Sequence, residues 1–339
     1  MGPTWPVITI AIPCQKPDQE PMQTRLLNST EADAAVTILR QGELVALPTE
    51  TVYGLAGDAS NEKAIQKIFA AKGRPPDHPL IMHVHSMEAA GEWAVDIPAQ
   101  AMLLADKFWP GPLTMIFRKQ PSASPLITCG LDTIALRAPD HPLTLEIIRK
   151  LGTGVAAPSA NAHKKTSPTR AEHVLKSLSG RIAAVIDGGE CKVGIESTIV
   201  DMTGDTPVIL RPGAITKAMI EDVLGAAVAQ PAGHDEKVAG NMPVHYQPET
   251  TLHIRSGAQL AELAGSESNI AIMHYSDLVM GAGVTGYRMP TDKSAYARAL
   301  YATLHRIDAT GVKAIYLEAP PDAPEWSDIH DRLAKASAS

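Results

Sequence analysis

The sequence predicts an α/β protein in two unequal parts: a twisted mixed sheet with packed helices, then a smaller parallel α/β domain. Three observations carry this. Across residues 30–215, short apolar strand-like runs are interleaved with helix-period segments, though not in strict alternation. From Ala226 to Pro248 the periodicity disappears among Pro231, Gly233, Gly240, Pro243 and Pro248, which marks a linker. Behind it three strands alternate with three helices, the pattern of a small nucleotide-fold parallel sheet. The expected units are residues 1–225, a linker at 226–248 and a second domain at 249–339.

The elements follow in order. Glu31–Gln41 reads as a helix with Ala34, Ala35, Ile38 and Leu39 on one stripe and Gly42 as its stop. Leu44–Leu47 is a strand. Asn61–Lys72 is a helix with Ile65, Ile68 and Phe69 inward and Gly73 ending it. Strands are expected at Leu80–His85, Leu113–Phe117, Thr133–Arg137, Val155–Ala157, Ala183–Ile186, Ser197–Asp201 and Val208–Leu210. Helices fit Ala99–Lys107, Leu143–Leu151 and Ala171–Ser179. In the second domain, strands at Thr251–Ile254, Ile270–His274 and Lys313–Leu317 alternate with helices at Ala258–Leu263, Ala295–Ile307 and Glu325–Lys335. That domain carries no G-x-G-x-x-G, so nothing in it argues for a dinucleotide.

Composition narrows the function classes. The chain has 339 residues, 45% apolar and 20% charged, which is enough for sizeable cores. Residues 1–225 hold 21 basic and 24 acidic side chains, and 226–339 hold 9 and 13, matching the net charge of −7. Neither part has the basic surplus of a protein held to RNA through phosphates, so direct RNA contact is expected to be weak. Cys14, Cys129 and Cys191 are odd in number and widely spaced, which suits neither a disulfide framework nor a metal site. A reducing, cytoplasmic setting is the simplest fit. The apolar stretch Trp5–Cys14, broken by Pro6 and Pro13, reads as a strand or extension rather than an export signal. No run approaches the ~18 apolar residues of a membrane span.

Polar residues cluster at strand ends and on single strand faces. Pro48-Thr49-Glu50-Thr51 puts hydroxyls and a carboxylate at the exit of a buried strand, although turn chemistry alone favours such residues. Lys72 and Arg74 bracket the glycine that ends a helix; there cations offset the helix dipole, a role that suits Lys72 better than Arg74. In Leu80–His85, alternation places Ile81, His83 and His85 on one face. Two histidines there suggest a polar or anionic ligand, and a metal would lack a third donor. Thr133, Ala135 and Arg137 share a face, with the small Ala135 leaving room for a ligand. Arg137 could grip a carboxylate through two parallel hydrogen bonds, or form a salt bridge with Asp132 or Asp140.

From Ser159 through Arg170 there is no acidic residue, and the hydroxyls and cations suit phosphate oxygens. Ser167 or Thr169 could equally cap a helix. Asp187-Gly188-Gly189, Gly194–Asp201 and Leu210–Gly213 each pair a strand with a glycine-flanked polar residue. Together the segments sketch a basic, hydroxyl-rich cleft on one sheet.

Eight motifs stand in a fixed order across this region: Pro48-Thr-Glu-Thr-Val-Tyr-Gly-Leu55, Lys72-x-Arg74-Pro75, Trp109-Pro-Gly-Pro-Leu-Thr114, Arg137-x-Pro139, Ala157-Pro-Ser-Ala-Asn161, Ser167-Pro-Thr169, Gly194-x-Glu-Ser-Thr198 and Leu210-Arg-Pro-Gly213. In this order they resemble the YrdC-like threonylcarbamoyl-AMP synthases. His245-Tyr246-x-Pro248 and the small α/β domain behind it are similar to the two-domain branch of that family. The resemblance implies a YrdC-like twisted mixed sheet with a deep cleft, plus a C-terminal Rossmann-like parallel domain. It implies a nucleotidyltransferase making threonylcarbamoyl-AMP from L-threonine, bicarbonate or CO₂, and ATP, toward N6-threonylcarbamoyladenosine in tRNA. Carried over, Thr51, His83, Arg137, Ala157 (through its backbone) and Ser197 would hold L-threonine. Lys72, Arg74, His78, Thr133, Ser159, Ser167, Arg211 and Tyr246 would hold ATP. Lys72, Arg74 and Arg211 would neutralise charge in the transition state.

Two positions depart from the family pattern: His78 stands where asparagine is frequent, and Met242-Pro243-Val244 stands where basic and aromatic residues are frequent. Mg²⁺ is expected to arrive mainly on the nucleotide, with few or no protein ligands, since no carboxylate cluster appears. A downstream tRNA-modifying partner is implied, and a monomer is expected. Two alternatives remain at this point: a nucleotide- or RNA-binding module of the same fold without catalysis, and a carbamoyl-adenylate enzyme of hydrogenase maturation.

Overall fold

The computed structural model describes residues 23–231, 233 and 236–338; the expected extension at Trp5–Cys14 lies outside them. The strands in chain order are β1 (Arg25–Leu27), β2 (Val45–Leu47), β3 (Gly54–Asp58), β4 (Ile81–His83), β5 (Ala94–Val95), β6 (Leu113–Lys119), β7 (Thr133–Arg137), β8 (Val155–Ala156), β9 (Ala184–Ile186), β10 (Thr198–Asp201), β11 (Val208–Arg211), β12 (Leu252–Arg255), β13 (Ile270–His274), β14 (Val284–Arg288) and β15 (Ala314–Glu318). The first eleven form one mixed sheet in the order β1-β9-β2-β3-β8-β4-β7-β6-β10-β11, with β5 on β6. The last four form a separate sheet, β12-β15-β13-β14, parallel throughout.

Most elements begin and end where local chemistry says they should. In helix Ala32–Arg40 the buried residues Ala35, Val36, Ile38 and Leu39 form the inward stripe, packed against helix Pro142–Leu151 in one apolar layer. Helix Glu62–Lys72 starts at Asn61, whose side chain accepts from the Lys63 and Ala64 amides. It ends at Gly73, held at φ 60°, a left-handed turn that glycine adopts without strain. On that face Ile65, Ile68 and Phe69 join the larger core with Leu104, Phe117, Val174 and Leu178.

The structure adds elements that the residue pattern did not mark. Strand β3 lies in a run of glycine and alanine with no β-branched residue beyond Val52. It forms because β2 and β8 pair with it from both sides, antiparallel. Tertiary pairing overrides propensity here. Strand β14 is interrupted by Gly286 and sits at a sheet edge, so its sequence signal is faint. Edge strand β1, the two-residue β5 and helix Lys217–Leu224 also appear.

Between Gly225 and β12 the chain is irregular, yet it is not a free tether. Ala229 bridges to Val208 at the sheet edge. Val238 is buried against Ile81, Ile116, Ala135, Ile199 and Leu210, on the face of the sheet. Thr166 donates its amide to the Gln247 carbonyl at 3.0 Å. The second domain then packs back onto the first, with Val52, Ile195 and Tyr246 sharing a core with Tyr296, Leu300 and Tyr301.

Candidate active site

A cleft enclosing about 650 Å³, solvent at its mouth included, opens between the large sheet and the crossing segment 239–246. The ends of β4, β7 and β11, the turn after β2, and the loop after β8 supply its walls. Thr51, Lys72, Arg74, His83, Arg137, Ala157, Ser159, Ser197, Arg211 and Tyr246 all line it. Ile81 and His83 both line the cleft as the alternation read for β4 expects, but His85 lies beyond the end of that strand and does not line it, so one histidine is presented there and not two.

Three of the implied residues stand elsewhere. Thr133 lines a second cavity that shares Ile81 and Ala239 with the cleft, two steps along the same strand face from Arg137. Ser167 is fully buried and donates its hydroxyl to Glu196 Oε1 at 2.5 Å. His78 turns its Nδ1 to Asp77 Oδ1 at 3.1 Å, and its carbonyl accepts from Arg74 Nη2 at 2.9 Å. Here His78 acts on the cleft through its backbone, by fixing Arg74.

The cations are braced by the protein. Lys72 donates to the carbonyls of Ser159 and Asn161, at 2.5 and 2.6 Å. Burial, and then the neighbouring Arg74, push its ammonium well below the ordinary lysine range, although Glu196 pulls the other way. Arg137 does not pair with Asp132 or Asp140. Its Nη2 meets Glu50 Oε1 at 2.6 Å, and its Nε donates to the Gly111 carbonyl at 3.1 Å. The Nε donor is therefore occupied, while Nη2 is ion-paired without a hydrogen bond, so a ligand carboxylate has the donors of Nη1 and Nη2 to reach.

Arg211 donates from Nε to the Ser197 carbonyl (3.0 Å), from Nη2 to Ser197 Oγ (3.1 Å) and from Nη1 to the Ala239 carbonyl (2.8 Å). Ser197 Oγ also lies 2.7 Å from Thr114 Oγ1. Burial lowers the affinity of Arg74 and Arg211 for their protons. Burial likewise holds His83 and His245 well below the ordinary imidazole range, and lowers His163 to about 4, with Arg74 and Lys72 adding to the effect on His163. At neutral pH the cleft thus presents guanidinium charge and neutral imidazoles.

The crossing segment closes one side. Gly240 has φ 79°, and a Cβ there would fall 2.2 Å from Tyr246 Oη and 3.1 Å from Arg211 Nη1. Only glycine lets this backbone pass between the two. Tyr246 Oη, His245 Nδ1 and Arg74 Nε are buried and have no hydrogen-bond partner among the described residues. Orphaned buried polar atoms are costly, and in a cleft they are what a polar ligand satisfies. Glu196 is the one carboxylate among the described lining residues. Burial works to raise its pKa, but Arg332 and Arg211 outweigh this and hold it below the ordinary range.

Glu50, Asn161, His163, Lys164, Glu196, Ala239, Gly240 and His245 carried no individual role in the sequence, though half of them lie within the motifs. The gap in acidic residues from 159 to 170 was the available signal for His163 and Lys164. Nothing local marks Arg332, which reaches Glu196 from the last helix at 2.7 Å.

A mixed sheet that presents cations to a cleft, roofed by the segment leading into a second parallel domain, defines a two-domain α/β protein with a basic cleft. Comparison with known proteins makes this specific. The Sua5/YciO/YrdC family profile, described as "Telomere recombination", matches residues 37–213. A second, "Threonylcarbamoyl-AMP synthase, C-terminal domain", matches 215–338. The chain belongs to the Sua5/YciO/YrdC family, in its two-domain form. The threonylcarbamoyl-AMP synthase of Bacillus subtilis is 39% identical, over 91% of this chain and 94% of that one. Its counterpart from Pyrococcus abyssi is 38% identical, over 89% and 93%. The crystal structure of P. abyssi Sua5 complexed with L-threonine superposes with a TM-score of 0.85 at 36% identity, covering 93% of this chain and 98% of that one.

Proposed function

We infer that the protein is an L-threonylcarbamoyladenylate synthase, forming threonylcarbamoyl-AMP and pyrophosphate from L-threonine, bicarbonate or CO₂, and ATP. Its product feeds the formation of N6-threonylcarbamoyladenosine in tRNA by a separate transferase. The observation that carries the reading is the convergence of Arg74, Arg137 and Arg211 on one cavity, together with the orphaned Tyr246 hydroxyl. A relative of the same two-domain build has been solved with L-threonine.

The threonine amine attacks the carbon donor to give a carbamate. A carbamate oxygen then attacks the α-phosphorus of ATP, and pyrophosphate leaves; with bicarbonate, one water is released as well. No protein nucleophile is needed, so the chain acts through position and charge. Holding short-lived carbamate and ATP together is worth up to ~7–11 kcal/mol of barrier. Arg137, with its remaining donors, faces the amino-acid carboxylate, and Ser197 and Thr51 supply hydroxyls beside it. Arg74 and Arg211 face the phosphates, where guanidinium charge offsets the charge building on the leaving pyrophosphate, and Lys72 lies beside them with its amine on the Ser159 and Asn161 carbonyls.

Mg²⁺ enters this reading as the counter-ion of the nucleotide. Among the described residues no group of three or more His, Cys, Asp or Glu side chains could hold a metal ion, and Glu196 is already taken by Arg332 and Ser167. The compartment proposed is the cytoplasm, where ATP and tRNA meet; no described helix is long and apolar enough to cross a membrane. A pyrophosphate-release assay comparing threonine, serine and carbamoyl phosphate tests the assignment. Threonine-dependent release is expected, and release driven by carbamoyl phosphate instead would move the protein to the hydrogenase-maturation class.

A further inference from the structure

Buried side chains of the second domain reach the cleft wall, and Arg332 makes the most contacts there. Arg332, in helix Ser327–Ala336, is fully buried at the domain boundary. Its Nε donates to Glu196 Oε2 at 2.7 Å, and its Nη2 to the Pro212 carbonyl at 3.0 Å and the Glu196 carbonyl at 3.5 Å. Glu196 is held further by Ser167 Oγ and by Tyr301 Oη, the latter at 3.0 Å from helix Lys293–Asp308.

The neighbours of these anchors matter. Glu196 precedes Ser197, and Pro212 follows Arg211. Ser197 and Arg211 are themselves bonded to each other twice, through the Ser197 carbonyl and hydroxyl. Both residues that face the cleft therefore have an adjacent residue tied to the same guanidinium. The flat, five-donor fork of arginine can hold a carboxylate and two carbonyls at fixed angles, which a lysine cannot.

We propose that Arg332 is a positioning residue for catalysis: it sets Ser197 and Arg211 by clamping Glu196 and Pro212 across the domain boundary. The second domain is then part of the site's scaffold as well as its cover. The proposal rests on the assignment of Ser197 and Arg211 to the substrates. A wild-type protein that releases no pyrophosphate would remove that assignment, whereas an active wild type with indifferent Arg332 variants would remove this proposal alone.

The test uses the full chain and threonine-dependent pyrophosphate release, below the melting temperature of every variant. Arg332→Met is expected to lose about 100-fold in kcat/KM, the cost of displacing reacting groups by about an ångström, with the KM for threonine rising. Arg332→Lys is expected to stay near Arg332→Met. The double variant Arg332→Met/Glu196→Gln should lose clearly less than the sum of the two single changes, because both residues belong to one clamp. Lys293→Met is the control. It unpairs buried Asp328 on the same helix, a 2.5 Å contact away from the cleft, and should lower the melting temperature without changing KM. Should Arg332→Met fail to fold, Glu196→Gln alone must show the rise in KM. A folded Arg332→Met within twofold of wild type, additive losses in the double variant, a wild-type KM in Glu196→Gln, or an equal kinetic loss in Lys293→Met would each overturn the proposal.

Discussion

Glu50 and Arg137 form a buried ion pair beside the cleft, 2.6 Å between Oε1 and Nη2, with the two side chains only 3% and 5% exposed. The second oxygen of Glu50 accepts the Asp140 amide at 3.0 Å, so the carboxylate ties the turn after β2 to the exit of β7. Removing one member of such a pair leaves the other charge buried and uncompensated, at about 3–5 kcal/mol. Glu50→Ala is expected to lose that much in urea unfolding. Glu50→Gln, which retains the acceptor for Asp140, should lose less and weaken threonine binding by freeing Arg137 to move. A Glu50→Ala protein as stable as wild type would contradict the structural role of the pair.

The phosphate-facing cations are a separate case. Arg74→Ala and Arg211→Ala should each lower turnover at least ~10²–10³-fold, the scale for removing one electrostatic contact to the transition state. The far-UV circular dichroism of both variants should match wild type. Full activity in either purified variant would refute its assigned role.

Gly240→Ala isolates the crossing segment. At φ 79° a side chain costs ~1–2 kcal/mol, and this Cβ would also collide with Tyr246 Oη. The segment should lift from the cleft, and limited trypsin digestion should cleave faster after exposed Lys237. An unchanged cleavage rate would mean that the segment tolerates the collision by shifting locally.

Acid should destabilise the fold earlier than carboxylate titration alone would. His83 and His245 are held neutral by burial, His163 is lowered to about 4, and His173 is lowered to about 3 by burial and its stacked neighbour His305. Each binds its proton more readily when unfolded, so stability is complete above the unfolded imidazole range near 6.5 and falls as pH drops from there toward 4. Urea midpoints measured from pH 7.5 to 4.5 should decline throughout. A flat profile down to pH 4.5 would show that these imidazoles are not held as described.

Much of this was legible in the residues. The stripe of helix Ala32–Arg40, the caps of Glu62–Lys72 and the alternation in β4 and β7 follow from periodicities that sequence displays directly. The ordered motifs placed most of the cleft wall, because each sits at a strand end that the sheet brings together. What stayed hidden depended on partners far apart in the chain. Arg137 sits between two aspartates in sequence, yet it pairs with Glu50 from another strand's exit. Val238 reads as linker and proves to be core, since the sheet face it covers is assembled from five separate strands. Arg332 lies in a helix with ordinary amphipathic spacing, and only the docking of two domains gives it a role.

The central claim is that one cleft joins threonine, a one-carbon unit and the AMP portion of ATP. Mass spectrometry of the reaction mixture, with each substrate omitted in turn, tests it most directly. The account predicts threonylcarbamoyl-AMP only when L-threonine, bicarbonate and ATP are all present, with one pyrophosphate for each product formed. ATP cleavage at an undiminished rate without threonine, and no adenylate product in the complete mixture, would contradict it.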